Sequence, residues 1–207
     1  MIAGDVFDAF IKRRGDRHPD TMAAAVNLSN AMRVNGMTAE ALDRAVEIAE
    51  RYPAAYGGEH PFALGCASNV AVLRRVTGDP AGARKVNEAA LEGLRARLGR
   101  DHFFSLAVAV NLASDLSALG ETAAARALGE DTLTRATNVL SRDHPLILGC
   151  AANLSVDLGA DGEVEAAESL RSNTMERYEG TLGLGHADAV AAAEGRRLDF
   201  DFDPLPI

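Results

Sequence analysis

The chain has 207 residues, 47% of them apolar and 25% charged, which is enough to bury a core and excludes wholesale disorder. Aromatics are only 5%, with no Trp, a balance that favours close-packed helices over a β-sandwich. The net charge of −9 leaves no basic excess for a phosphate backbone, and no apolar run approaches the roughly 20 residues of a bilayer span. Neither nucleic acid nor a membrane is therefore an expected partner.

The first predicted element is a helix over residues 1–14. It carries Asp5 and Asp8 and lacks a basic head followed by an apolar stretch, so it does not read as a secretory signal. With only two cysteines in the chain, Cys66 and Cys150, the expected location is the cytoplasm.

From residue 15 onward the chain is periodic. Its five histidines, His18, His60, His102, His144 and His186, stand 42 residues apart, which is the signature of a stacked repeat array. Nine residues after each of the first four comes Asn27, Asn69, Asn111 or Asn153. Later in the register come Gly36, Gly78, Gly120 and Gly162, each followed five residues on by Ala41, Ala83, Ala125 or Ala167.

Each period predicts a helical hairpin. His-Pro, as in His18-Pro19, starts a first helix with proline in its first turn, where the missing N–H costs nothing. The glycine stops that helix, and a second one runs from about Ala39 to Tyr56 in the first unit. The alanine lets the two helices approach closely. Full repeats are expected over 15–56, 57–98, 99–140 and 141–182, making residues 1–14 the second helix of a unit whose first helix is missing. On it, Phe7, Phe10 and Ile11 would lie partly uncovered: either the chain is cut from a longer array, or this end docks on something, with homo-oligomer formation the expected form.

The fifth unit supplies one capping helix, 183–197, expected helical from about Ala187 to Arg197. Gly195-Arg196 replaces its Asn-Leu, flanked by Glu194 and Arg197. Residues 198–207 form a tail that alternates Asp with Phe and ends in Pro204-Leu205-Pro206-Ile207. Three readings of it are open: a mobile terminus, a segment folded back on the array, or a short motif shown to a partner.

The Asn-Leu-small run (Asn27-Leu28-Ser29), the glycine after it and the alanine beyond resemble the tetratricopeptide family. The long period and linkers such as Leu98-Gly99-Arg100-Asp101-His102 are similar to the kinesin-light-chain variety. Runs such as Glu130-Asp131-Thr132-Leu133 and Asn153-Leu154-Ser155-Val156-Asp157-Leu158 resemble actinobacterial arrays of NB-ARC and FxSxx-COOH peptide-maturation systems. No phosphate-binding loop of an NB-ARC module is present. The resemblance implies an all-α, right-handed superhelical solenoid of about ten helices in antiparallel pairs. It also implies binding of a peptide or unstructured protein segment on the concave face.

The candidate binding residues follow from that face. A side-chain amide both donates and accepts, so Asn27, Asn69, Asn111 and Asn153 in a row could grip a peptide backbone without reading its sequence. The alternative is that each amide bonds the neighbouring helix and stabilises stacking. Asn30, Arg33, Val72, Arg75 and Ser114 stand on the same predicted face. Positions 26, 68, 110 and 152 carry no Lys or Arg, which argues against a clamp for a C-terminal carboxylate.

Neither metal nor cofactor is expected. Histidines one repeat apart stand on the order of 10 Å from each other, whereas zinc ligands must converge to within roughly 2 Å of one ion. Cys66 and Cys150, two periods apart, read as buried small residues beyond disulfide reach. No catalytic motif occurs, so the chain does not read as an enzyme. The runner-up roles are an oligomerisation module acting through the N-terminal edge and an accessory subunit of an enzyme.

Overall fold

The computed structural model describes residues 2–204, and these form ten α-helices and no strand. Met1 of the expected first helix, and Leu205, Pro206 and Ile207 of the expected tail, lie outside the described residues. The chain divides into two compact units. One runs to Leu98 and takes back the end of the chain from Asp201; the other is Gly99–Phe200. The division falls at an expected repeat boundary.

The first unit contains α1 (Ile2–Arg14), α2 (Pro19–Val34), α3 (Thr38–Tyr56), α4 (Pro61–Val76) and α5 (Pro80–Leu98). The second contains α6 (Phe103–Ala118), α7 (Thr122–Val139), α8 (Pro145–Ala160), α9 (Val164–Thr181) and the short α10 (Ala187–Ala193). Within each unit, consecutive helices pack side by side. The first helices of successive repeats also touch: α2 meets α4, α6 meets α8, and α8 meets α10.

The histidine lattice is a lattice of helix starts. Each ring sits at the N-cap in extended backbone and its Nδ1 accepts the backbone N–H two residues on. The donors are Asp20, Phe62, Phe104, Leu146 and Asp188, at 3.1–3.2 Å. A cap of this kind satisfies one of the N–H groups that a helix start leaves without an intrahelical partner. Proline follows the cap in α2, α4 and α8; in α6 Phe103 takes its place.

The glycines that end first helices adopt the left-handed conformation, as at Gly36 (φ 82°), where Met37 N–H reaches back to Met32 O at 3.0 Å. The following alanines then let the hairpins close. Ala41, Ala83 and Ala125 are fully buried, and Ser29 of α2 donates to the Ala41 carbonyl of α3 at 2.9 Å. Ala167 is only half-buried on α9.

The last helix differs from expectation. It stops at Ala193 instead of continuing to about Arg197, because Gly195 turns left-handed (φ 69°). Gly195 N–H bonds Ala192 O and Arg196 N–H bonds Ala191 O, closing the helix with the 6→1 and 5→2 pair of a glycine stop. Gly195 thus occupies the asparagine position of the repeat and releases the chain into the tail.

Candidate functional site

The tail from Arg197 to Pro204 has no regular secondary structure and lies on the faces lined by first helices. In the second unit, Asn153 of α8 donates from Nδ2 to Leu198 O at 2.8 Å and accepts Leu198 N–H on Oδ1 at 2.7 Å. Asn111 of α6 does the same for Phe200, donating at 2.8 Å and accepting at 2.9 Å. In the first unit, Asn69 of α4 holds Phe202 by the same pair, at 2.8 and 2.7 Å. Asn27 of α2 donates to Pro204 O at 3.2 Å. Every second tail residue meets an asparagine, which is the step of an extended backbone.

A primary amide opposite one residue of an extended backbone matches its donor to that residue's carbonyl and its acceptor to that residue's N–H, so each full rung makes two bonds. The fourth rung is incomplete. Proline has no N–H, and the Asn27 Oδ1 is buried without a hydrogen-bond partner.

Other contacts fix the side chains. In the first unit, Asn30 donates to Phe202 O at 3.0 Å and accepts from Asn69 Nδ2 at 3.0 Å, while Arg33 pairs with Asp201 at 2.7 Å. The Phe202 ring lies 5.3 Å from that of Phe62, against Gly65. A Cβ at Gly65 would come within 2.6 Å of that ring, so only glycine leaves room for it. In the second unit, a Cβ at Gly149 would stand 2.6 Å from the Phe200 ring. Phe200 packs on Leu106, Leu146 and Ile147, and Leu198 on Leu148, Tyr178 and Ala189. Arg197 bonds the buried Asp157 at 2.5 Å and Ser114 Oγ at 3.1 Å.

Magnitudes show what holds the tail. A net hydrogen bond contributes about 1 kcal/mol, while ordering each backbone residue costs about 1–2 kcal/mol. The amide bonds therefore roughly offset the ordering. Burial of Leu198, Phe200 and Phe202, at about 2 kcal/mol each, tips the balance.

The structure brings Asn27, Asn30, Arg33 and Asn69 to the tail in the first unit, and Asn111, Ser114 and Asn153 in the second. Val72, expected on the same face, is wholly buried and offers no surface; Arg75 stands half-buried on α4. Asn69 bonds Asn30 on a neighbouring helix as well as the tail backbone. The sequence pattern does not assign Gly65, Gly149, Phe62, Asp157 or Arg197 to this face. The Leu-Gly-Cys run shared by residues 64–66 and 148–150 was the available signal for the two glycines.

Cys66 and Cys150 are buried and free. Burial pushes both thiols up, Cys150 to about 12, so neither is a ready nucleophile. Among the described residues no group of three or more His, Cys, Asp or Glu could hold a metal ion, and no helix is long and apolar enough to cross a membrane.

Residues 63–138 match the tetratricopeptide repeat family model. Among curated protein sequences, none matches the chain. Two crystal structures of a Podosopora anserina kinesin light chain with nearly identical TPR-like repeats resemble it at TM-scores of 0.66 and 0.63. Both are 22% identical over 87% of this chain and 85% of the other. The structure of BtubC (BKLC) from P. vanneervenii gives a TM-score of 0.59 at 20% identity, over 74% of this chain and 60% of that one. The fold is that of tetratricopeptide-type helical repeats.

Proposed function

We propose that the chain is a protein-interaction module whose first-helix faces bind an extended peptide or unstructured protein segment. The observation that carries this reading is the row of asparagine rungs, each complete rung gripping both the N–H and the C=O of one residue in an extended backbone. Such contacts hold a backbone of any sequence, while the glycine-floored recesses for Phe200 and Phe202 add side-chain preference. Tetratricopeptide repeats generally mediate protein–protein contact, and the likeness covering residues 63–138 supports the same role. Service in a peptide-modification system is the finer form of the proposal, drawn from the resemblance of Glu130–Leu133 and Asn153–Leu158 to such arrays.

The test uses an array of extended peptides and the full chain with its tail loosened by Phe200→Ala and Phe202→Ala. That chain should capture a defined set of peptides. Adding Asn69→Ala and Asn111→Ala should abolish capture while leaving helical circular dichroism and melting in place. Undiminished capture, or a collapse of melting, would contradict it.

A second reading rests on α1. None of its residues is buried; Ile2 is 84% exposed, Val6 41% and Ile11 38%, with Phe7 and Phe10 half-covered. Arg44 caps the Phe7 ring at 5.0 Å and Arg14 the Phe10 ring at 6.0 Å, while Ile2, Val6 and Ile11 stay exposed among the charged residues of the helix. Self-association through this helix is the structural alternative to peptide capture.

A further inference from the structure

We propose that the tail is a displaceable resident of the peptide site, and that Asn27 is a subsite for a backbone N–H that the tail cannot supply. The ligand class follows: an extended peptide with apolar side chains at alternate positions and a residue other than proline at the Asn27 rung. This rests on the peptide-binding reading above.

Three observations carry it. The tail shows how a segment is held, since Leu198, Phe200 and Phe202 each meet one asparagine by a donor–acceptor pair and send their side chains into apolar surroundings. The fourth rung breaks that pattern. Asn27 Nδ2 is bonded to Pro204 O, which fixes the amide's orientation and directs Oδ1 to where the N–H of the same residue would lie. In the other rungs Oδ1 receives that N–H at 2.7–2.9 Å; at Asn27 it is buried and receives nothing. A buried acceptor without a donor is costly, and an incoming segment able to donate there would remove the cost. The tail is therefore a ligand one bond short, which an external segment of the same pattern can outcompete.

Charge adds a further preference. Arg33 faces Asp201 one residue before the Asn69 rung, and buried Asp157 faces Arg197 one residue before the Asn153 rung. In the first unit a competing segment is thus acidic one residue before its Asn69 rung, and in the second it is basic one residue before its Asn153 rung.

The test uses the full wild-type chain and end-blocked synthetic peptides with the sequence Arg-Leu-Asp-Phe-Asp-Phe-Asp-X, where X is proline, alanine or N-methylalanine. The readout is hydrogen exchange at the chain's own Leu198, Phe200 and Phe202 amides as each peptide is titrated. The alanine peptide should release the tail at about three- to tenfold lower concentration than either of the others, as one recovered hydrogen bond requires. In the Asn27→Ala chain that advantage should vanish. Equal midpoints for alanine and N-methylalanine in the wild type, or an alanine advantage that survives Asn27→Ala, would overturn the proposal. If no peptide of this series displaces the tail but the loosened chain still captures others from the array, this inference falls and the binding reading stands. If the loosened chain captures nothing, both fall.

Discussion

Single side chains set both the repeat and its contacts. Each histidine gives one acceptor to one orphan N–H, a contribution of about 0.5–2 kcal/mol for caps of other residue types. Replacing His102 by Ala should lower unfolding stability by about that amount, and His102→Asn should restore most of it; urea unfolding measures both. Gly65 sets two effects against each other. Gly65→Ala gains roughly 0.5–1 kcal/mol of helix propensity in α4, yet its Cβ would meet the Phe202 ring at 2.6 Å. The expected outcome is a helix no less stable and a tail partly expelled, seen as faster exchange at the Phe202 amide with melting held or raised. Unchanged exchange would show that the ring has room to shift.

At the level of elements, the histidine–asparagine–glycine–alanine spacing made the helices legible, because each residue type has a local reason for its place. The start of α2 at Pro19, the stop at Gly36 and the following helix to Tyr56 all arise from caps and turns within a few residues. The end of α10 was misread, since the substitution of Gly195 for asparagine signals both a polar cap and a helix stop, and the stop wins. The tail was legible only in part. Its Asp–Phe alternation shows a two-residue period, but what that period faces depends on asparagines up to 177 positions away in sequence. Nor could local pattern reveal that glycines 65 and 149 stand against phenylalanine rings. At this scale Asn111→Ala should release one rung, accelerating exchange at Phe200 while Leu198, held by Asn153, changes less.

For the molecule as a whole, the second reading turns on α1, whose Ile2, Val6 and Ile11 are exposed. If it joins copies of the chain, Phe7→Asp with Phe10→Asp should dissociate the particle, and light scattering should report the smaller mass; an unchanged mass rejects that role. Phe7 and Phe10 are the half-covered aromatics of α1, so the substitutions should also lower melting somewhat, and the mass is read where the chain remains helical. Buried thiols give a separate check on the compactness of both units: Cys66 and Cys150 should resist alkylation until the chain unfolds.

The most direct measurement is residue-resolved hydrogen exchange on the unmodified chain. If asparagine side chains grip an extended backbone, the amides of Leu198, Phe200 and Phe202 exchange far more slowly than in a free peptide of the same sequence. Exchange at free-peptide rates would mean that those amides are not held, and would remove the basis for reading the first-helix faces as a binding site.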